Sequence, residues 1–269
     1  KMNSVSYLRP KTELEVSQLL THYPEACILA GGQSLLPAWR LGFNSPSHFI
    51  DLQDLSELQT INLDENELWI GAMATHANIA NSHTIQSFCP MLSSLAGGIA
   101  DQQVRNVGTI GGSLANHDPS ACWPAAVLAL DASVITNQRE IKSDHFFQGI
   151  FSTALLPGEW ITGIHFPKPL FAKYLKWEQS ASRFALVGAA IALLPNQSVR
   201  VALTGLGFGV VRWPEAENAL QKNFHATSIS ELSLDVSQVQ SDIHATATYR
   251  AHLAKVLCHR MLSHYQGVN

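Results

Sequence analysis

Charged side chains are scarce, at 14% of the sequence, against about 25% in ordinary soluble domains. The shortage fits two situations, a broad face covered by a partner subunit or a well-packed monomer. The charge that exists sums to −4 without a basic cluster, which excludes the electrostatic footprint of a nucleic-acid binder. No apolar run approaches the ~18 residues that a bilayer span needs. The stretch Lys1 to Pro10 lacks the apolar centre of a secretion signal. Cys27, Cys89, Cys122 and Cys258 are widely scattered and form no C-x-x-C pair. A zinc or iron–sulfur site carried by this chain alone is therefore not expected, and a cytoplasmic, reducing compartment is.

Apolar residues make up 46% of the 269 positions, enough for one large core or two small ones. Thr12, with Glu15 three residues on and a stripe of Leu14, Leu19 and Leu20, predicts a capped helix. Ala26 to Ala30 predicts a buried strand that runs into Gly31-Gly32, with a helix from Ser34 to Leu41. Further strands are expected at Phe49–Leu52, Glu67–Gly71, Ala132–Ile135 and Ile161–Phe166. Helices are expected at Thr75–Ser82, Pro90–Ala100 and Pro124–Leu130, and Val107–Ser113 reads as turn-rich. Beyond Ile161 the texture changes. Ala185–Leu194 and Arg200–Leu206 flank Pro195-Asn196-Gln197 and predict an antiparallel hairpin, followed by helices at Pro214–Lys222 and Ala247–His264. A boundary is thus expected near residues 165–172, between an α/β part and a small sheet with helices.

Two glycine-rich loops carry the chemistry. Ala30-Gly31-Gly32-Gln33-Ser34-Leu35 follows a strand and precedes a helix. Paired glycines remove Cβ atoms and permit positive φ, so amide groups can converge on an anion. An ordinary strand-to-helix turn is the plainer alternative. The loop matches neither the G-x-G-x-x-G fingerprint nor the G-x-x-x-x-G-K-[ST] phosphate loop. Arg105 to Ser113 repeats the idea, with Gly108, Thr109, Gly111, Gly112 and Ser113 offering backbone and hydroxyl donors, and Asp118-Pro119-Ser120 following. Two such loops in one α/β unit suggest an extended ligand such as a dinucleotide.

In this order and spacing the loops resemble those of the flavoprotein subunit of molybdenum hydroxylases, the group of the carbon monoxide dehydrogenase medium subunit and the xanthine dehydrogenase FAD domain. Nearly the whole chain takes part. The matching segments include Ile70–His76, Gln103–Asn106, Phe151–Glu159, Ala202–Gly205, and Asp242–Ala245 through Tyr249-Arg250. The resemblance implies an α+β chain: a two-subdomain α/β FAD-binding domain of the PCMH (vanillyl-alcohol-oxidase-like) type, then a small C-terminal domain with an antiparallel sheet flanked by helices. The domains implied are 1–168, with subdomains of about 1–55 and 56–168, and 169–269. FAD would be held with its diphosphate on Gly31 to Leu35, while Thr109 to Ser113 hold another part of it. Ile99, Leu156 and Ile161 match apolar positions near the flavin, and Lys176 matches a lysine of the cofactor site. Judged without the resemblance, the three apolar residues are plain core and Lys176 is a solvated surface lysine. The implied partners are a molybdopterin-binding large subunit and a [2Fe-2S] small subunit.

The sequence departs from the family pattern at Cys122, where an aspartate that contacts the cofactor is usual, and at Ser113, where asparagine is frequent. A thiol is a weak hydrogen-bonding group, so a charge-assisted bond worth roughly 1.5–3 kcal/mol is lost. Cys122 stands near a helix start, which can lower a thiol pKa; a buried, inert thiol is the alternative. The 12 histidines show no His-Glu-x-x-His spacing, and His252 and His259 fit the polar face of the last helix. His117-Asp118 near Ser113 and Ser120 lacks a G-x-S-x-G elbow. Three functions remain open: an electron-transfer flavin subunit, a stand-alone flavoenzyme using His76 or His117 as acid or base, and an assembly subunit that has lost FAD.

Overall fold

The computed structural model describes residues 5–263 and 265. The first unit is a three-stranded parallel sheet in the order Ser6–Leu8, His48–Asp51, Cys27–Leu29. Parallel neighbours need crossovers, and helices Glu13–His22 and Leu35–Arg40 lie on those connections. Thr12 caps the first helix, its hydroxyl accepting from the Glu15 N–H at 3.2 Å. The reciprocal arm of the box reaches one residue further back, to the Lys11 N–H at 2.7 Å. A small core of Val16, Ile50, Leu52, Leu55 and Leu58 closes over Met73 and Trp160 of the next unit.

The second unit is a five-stranded antiparallel sheet, ordered Ile61–Asp64, Glu67–Gly71, Ile161–Pro167, Ser133–Thr136, Glu140–Lys142. Its central strand comes last in sequence, and the segment between Gly71 and Ser133 is an excursion pinned to the sheet at both ends. That excursion carries short helices, among them His76–Asn81, Pro90–Gly97, Gln102–Val107, Ile110–Asn116 and Trp123–Ala129. The stretch expected to be turn-rich therefore contains the start of a helix. Thr109 caps it by accepting from the Gly112 N–H at 3.1 Å. Tertiary contacts there override the poor helix propensity of two glycines.

The third unit is an antiparallel sheet, Phe171–Glu178, Ala185–Leu193, Val199–Thr204 and Val211–Arg212. The hairpin is as expected, but its partner strand Phe171–Glu178 was not foreseen. Strand side chains alternate between faces, and here the alternation sorts by size. Ala190, Ala192 and Ala202 pack into the core of the second unit. Val187, Ile191, Val201 and Leu203 pack under helices Pro214–Lys222 and Ala247–Leu262. His264, expected at the end of that last helix, lies outside the described residues. A sheet buried on both faces is an internal outlet for the chain's low charge. Small residues on the inner face let the sheet approach closely, and polar ties fasten it. Arg200 bonds Asp131, Asp144 and the Leu128 carbonyl. Buried Arg250 donates to the Leu186 and Gly205 carbonyls, each at 2.7 Å, and to Asp242 at 2.6 Å, so the Asp242–Arg250 segment serves the architecture.

Candidate functional site

The two glycine loops touch. A Cβ built on Gly31 would lie 2.3 Å from the Val107 carbonyl oxygen and 2.7 Å from the Gly108 Cα. One on Gly112 would lie 3.4 Å from the Ala30 Cβ. The loops form the seam of a cavity of about 780 Å³, within the size range of small-molecule clefts.

The loops are not equivalent. Among the described residues, no protein acceptor takes the N–H groups of Gly31, Gly32, Gln33, Ser34 or Leu35. Gly32 has φ +67°, the left-handed geometry that glycine adopts at least cost. Five successive amides are therefore left for water or a ligand, which suits an anion. The second loop differs from the expectation of a second open amide cradle. The Ile110 and Gly111 N–H groups donate to the Ala74 and Ala72 carbonyls, at 3.2 and 2.9 Å. Gly112 donates to the Thr109 hydroxyl, and Ser113 to the Thr109 carbonyl at 3.1 Å. Gly111 is glycine for packing, since an added Cβ would sit 2.7 Å from both the Cβ and the oxygen of Ala72. What this loop offers a ligand is the Thr109 N–H and the Ser113 hydroxyl, neither of which has a partner among the described residues.

Of the residues singled out from the sequence, Ala30 to Leu35, Ile99, Thr109, Gly111, Gly112, Ser113, Asp118, Cys122 and Ile161 all line the cavity. Leu156 and Lys176 do not. Leu156 is 54% exposed, and its N–H is taken by Glu159 at 2.9 Å; its neighbour Leu155 lines the cavity instead. Lys176 is neither solvated nor in the cavity wall. Its Nζ donates to the Gly98 carbonyl at 2.8 Å and the Arg183 carbonyl at 2.5 Å. It ties together two wall segments, one leading to Ile99 and the other to Phe184.

Cys122 is buried and its thiol is pushed up by desolvation, so the reactive-thiol alternative falls away. Asp118 accepts from the Ser120 N–H at 2.8 Å, forming the turn below the rim. His117 is buried at φ +42°. Its Nδ1 lies 3.0 Å from the Ser152 carbonyl, and its Nε2 accepts from the Val210 N–H at 3.2 Å. Both nitrogens are thus occupied, and burial holds the ring's pKa below its ordinary value. His117 joins the rim of the site to the third unit and has no free proton for catalysis.

Sequence reasoning missed the contributions of Asn116, Glu159, Trp160 and the turn Ala181–Phe184. The turn joins the unforeseen strand to the foreseen hairpin, and the regular alternation of that hairpin was the available signal. Glu159 was quoted only within a matching segment. It is buried, bonded to Arg139 at 2.9 Å and to the Thr136 hydroxyl at 2.8 Å, and held at a pKa of about 2, chiefly by Arg139.

A family profile described as the FAD-binding domain in molybdopterin dehydrogenase matches residues 3–169. The chain belongs to this family. A second profile, the carbon monoxide dehydrogenase flavoprotein C-terminal domain, matches residues 172–265. The nicotine 6-hydroxylase medium subunit of Paenarthrobacter nicotinovorans is 32% identical, with 97% of each chain covered. Carbon monoxide dehydrogenase from Hydrogenophaga pseudoflava superposes with a TM-score of 0.87 at 30% identity, covering 97% of each chain. Quinoline 2-oxidoreductase from Pseudomonas putida 86 gives 0.86 at 30% identity, covering 97% of this chain and 96% of that one. The cofactor of this family is FAD, and the cavity fits it. The open amide row suits a diphosphate, and apolar walls at Ile99, Leu155 and Ile161 suit a flat ring. No helix among the described residues is long and apolar enough to cross a membrane.

Proposed function

We propose that this chain is the FAD-carrying electron-transfer subunit of a molybdopterin-dependent dehydrogenase or hydroxylase. It works in the cytoplasm beside a molybdopterin-binding large subunit and a [2Fe-2S] small subunit. The observation that carries this reading is the row of five unspent amides beside the second loop in the wall of one cavity, in a chain of this family. FAD, when bound, would supply the redox chemistry that links the iron–sulfur clusters to an external acceptor.

The protein's own part is to bind and orient. Gly31 to Leu35 grip the diphosphate through N–H groups, helped by the Ser34 hydroxyl. Thr109 and Ser113 hold the cofactor from the facing loop, with Gly111 and Gly112 keeping that loop close to Ala72 and Ala30. Ile99, Ile161 and Cys122 wall the ring, Asp118 shapes the rim, and Lys176 acts by tying the walls together. Leu156 contributes through the turn it forms with Glu159. The domains divide at 1–168 and 169–269, in the Pro167-Lys168-Pro169-Leu170 link between two sheets. No free acid or base is needed, and His117 is committed to structure.

The test is the absorption spectrum of the purified protein, with the released cofactor identified by mass and metals assayed in the co-purified complex. A flavin spectrum with stoichiometric FAD, molybdenum and iron is the expected result. A colourless chain that takes up no added FAD sinks the proposal and revives the role of an assembly subunit.

A further inference from the structure

His76 opens the helix His76–Asn81 and is 5% exposed, yet it lines the cofactor cavity. The indole N–H of Trp123 lies 3.1 Å from its Nδ1. An indole nitrogen can only donate, so Nδ1 accepts and the proton of the neutral ring sits on Nε2. Burial, aided by the positive charge of Arg105, depresses the ring's pKa to about 4, which keeps it neutral in the physiological range. Among the described residues Nε2 has no hydrogen-bond partner, but it is not sealed away. A Cβ on Gly108 would lie 3.0 Å from it, and Gly108 is where the second loop meets Gly31. An unspent N–H therefore stands at the seam of the two loops, beside the open amide row.

We propose that His76, fixed as its Nε2–H tautomer by Trp123, donates a hydrogen bond to the cofactor's diphosphate at this seam. The proposal rests on the FAD reading above and adds a residue to it. His76 acts as a neutral donor, whereas a histidine cation would make binding steepen in acid. Arg105 is the charged group that faces it. Of the helices packed on His76–Asn81, Pro90–Gly97 carries no titratable side chain, Gln102–Val107 brings Arg105 and its cap Asp101, and His83–Phe88 brings only His83.

The test is FAD binding by the full-length apoprotein, with riboflavin, which lacks phosphate, as the second probe. His76→Asn keeps an acceptor for Trp123 but its own amide N–H groups stop short of the Nε2 position, while His76→Gln keeps a donor that reaches as far as Nε2. FAD affinity is expected to fall tenfold or more in His76→Asn, the loss of about one hydrogen bond to a charged group. Riboflavin affinity stays as in the wild type, and His76→Gln recovers most of the FAD binding. Wild-type FAD affinity is level between pH 5 and 8, and Trp123→Phe, which frees the neutral ring to carry its proton on Nδ1 instead, weakens FAD and leaves riboflavin unchanged. If wild type binds FAD and His76→Asn binds it equally well, the proposal for His76 is overturned while the flavin reading stands. Equal loss of riboflavin and FAD also overturns it, since the contact is then not to phosphate. Wild-type protein that binds no FAD sinks the underlying reading. Should both His76 variants fail to fold, the FAD and riboflavin affinities of Trp123→Phe decide instead: FAD binding equal to wild type refutes the fixed tautomer, and a wild-type affinity that rises steeply below pH 6.5 refutes the neutral donor.

Discussion

Replacing Gly31 with alanine adds one methyl group where two backbones meet. Its carbon would sit 2.3 Å from the Val107 oxygen, 2.7 Å from the Gly108 Cα and 2.9 Å from the Val107 carbonyl carbon. A relaxed carbon–oxygen contact is about 3.3 Å or longer, so the loops must part by about 1 Å. The second loop is held by the Gly108 N–H on Val104 at 2.7 Å and by the His76 N–H on the Gly108 oxygen at 2.9 Å. The first loop, with its unspent amides, is the one that yields. Overpacking of this kind costs about 1–3 kcal/mol of stability. Displacing even one amide from a phosphate oxygen forfeits about 1.5–3 kcal/mol of binding, or tenfold to about 150-fold in Kd. Gly42→Ala is the control. Gly42 has φ +79°, but an added Cβ would meet nothing within 4 Å, so it carries backbone strain of about 1–2 kcal/mol and no clash. Thermal melts of the apoproteins and fluorescence titrations with FAD separate the two effects. Both variants melt lower, and only Gly31→Ala loses affinity. If Gly31→Ala binds FAD as wild type does, or Gly42→Ala weakens as much, the seam is not the binding element.

Cys122→Asp restores a carboxylate at the cavity wall near Lys176 and the partnerless Tyr174 hydroxyl. FAD affinity should rise about tenfold, and an equilibrium titration showing a fall would contradict this. Lys176→Met frees the Gly98 and Arg183 carbonyls. It should raise amide exchange in both wall segments and weaken FAD several-fold; unchanged exchange would mean that the tie is idle. Acid should destabilise the fold in a defined window. His76 falls from an ordinary 6.5 to about 4 on folding. Its stabilising effect is therefore complete above pH 6.5 and is lost as pH falls toward 4. By pH 4.5 the loss is about 2–3 kcal/mol, with His117 shifted in the same direction. Urea midpoints at pH 7.5 and 4.5 read this directly, and equal midpoints would refute it.

Elements that announced themselves did so through local signals. The hairpin Ala185–Leu193 with Val199–Thr204 was legible because its turn residues and apolar alternation agree. Thr12 was legible as a cap, and it accepts the expected amide. The first loop was legible because its open amides belong to its own backbone. The second loop was read as a second amide cradle; it lines the cavity, but its N–H groups from Ile110 to Ser113 are spent within the chain. Gly111 lets it close on Ala72, a contact across distant segments that no local pattern encodes. Lys176 was placed near the cofactor by resemblance, while its two carbonyl partners lie on segments brought together only by the fold. The strand Phe171–Glu178 escaped notice because lysines and aromatics interrupt its alternation.

The amide row has a consequence for recognition. Backbone donors read a bridging pair of phosphates and are blind to what is attached at either end, so by themselves they would admit any nucleotide diphosphate ester. Choosing the correct prosthetic group among the cell's dinucleotides must fall to the greasy walls, where Ile99, Trp160, Ile161 and Phe184 line the cavity. Variation at those four positions can retune which molecule is accepted while leaving the grip on phosphate untouched.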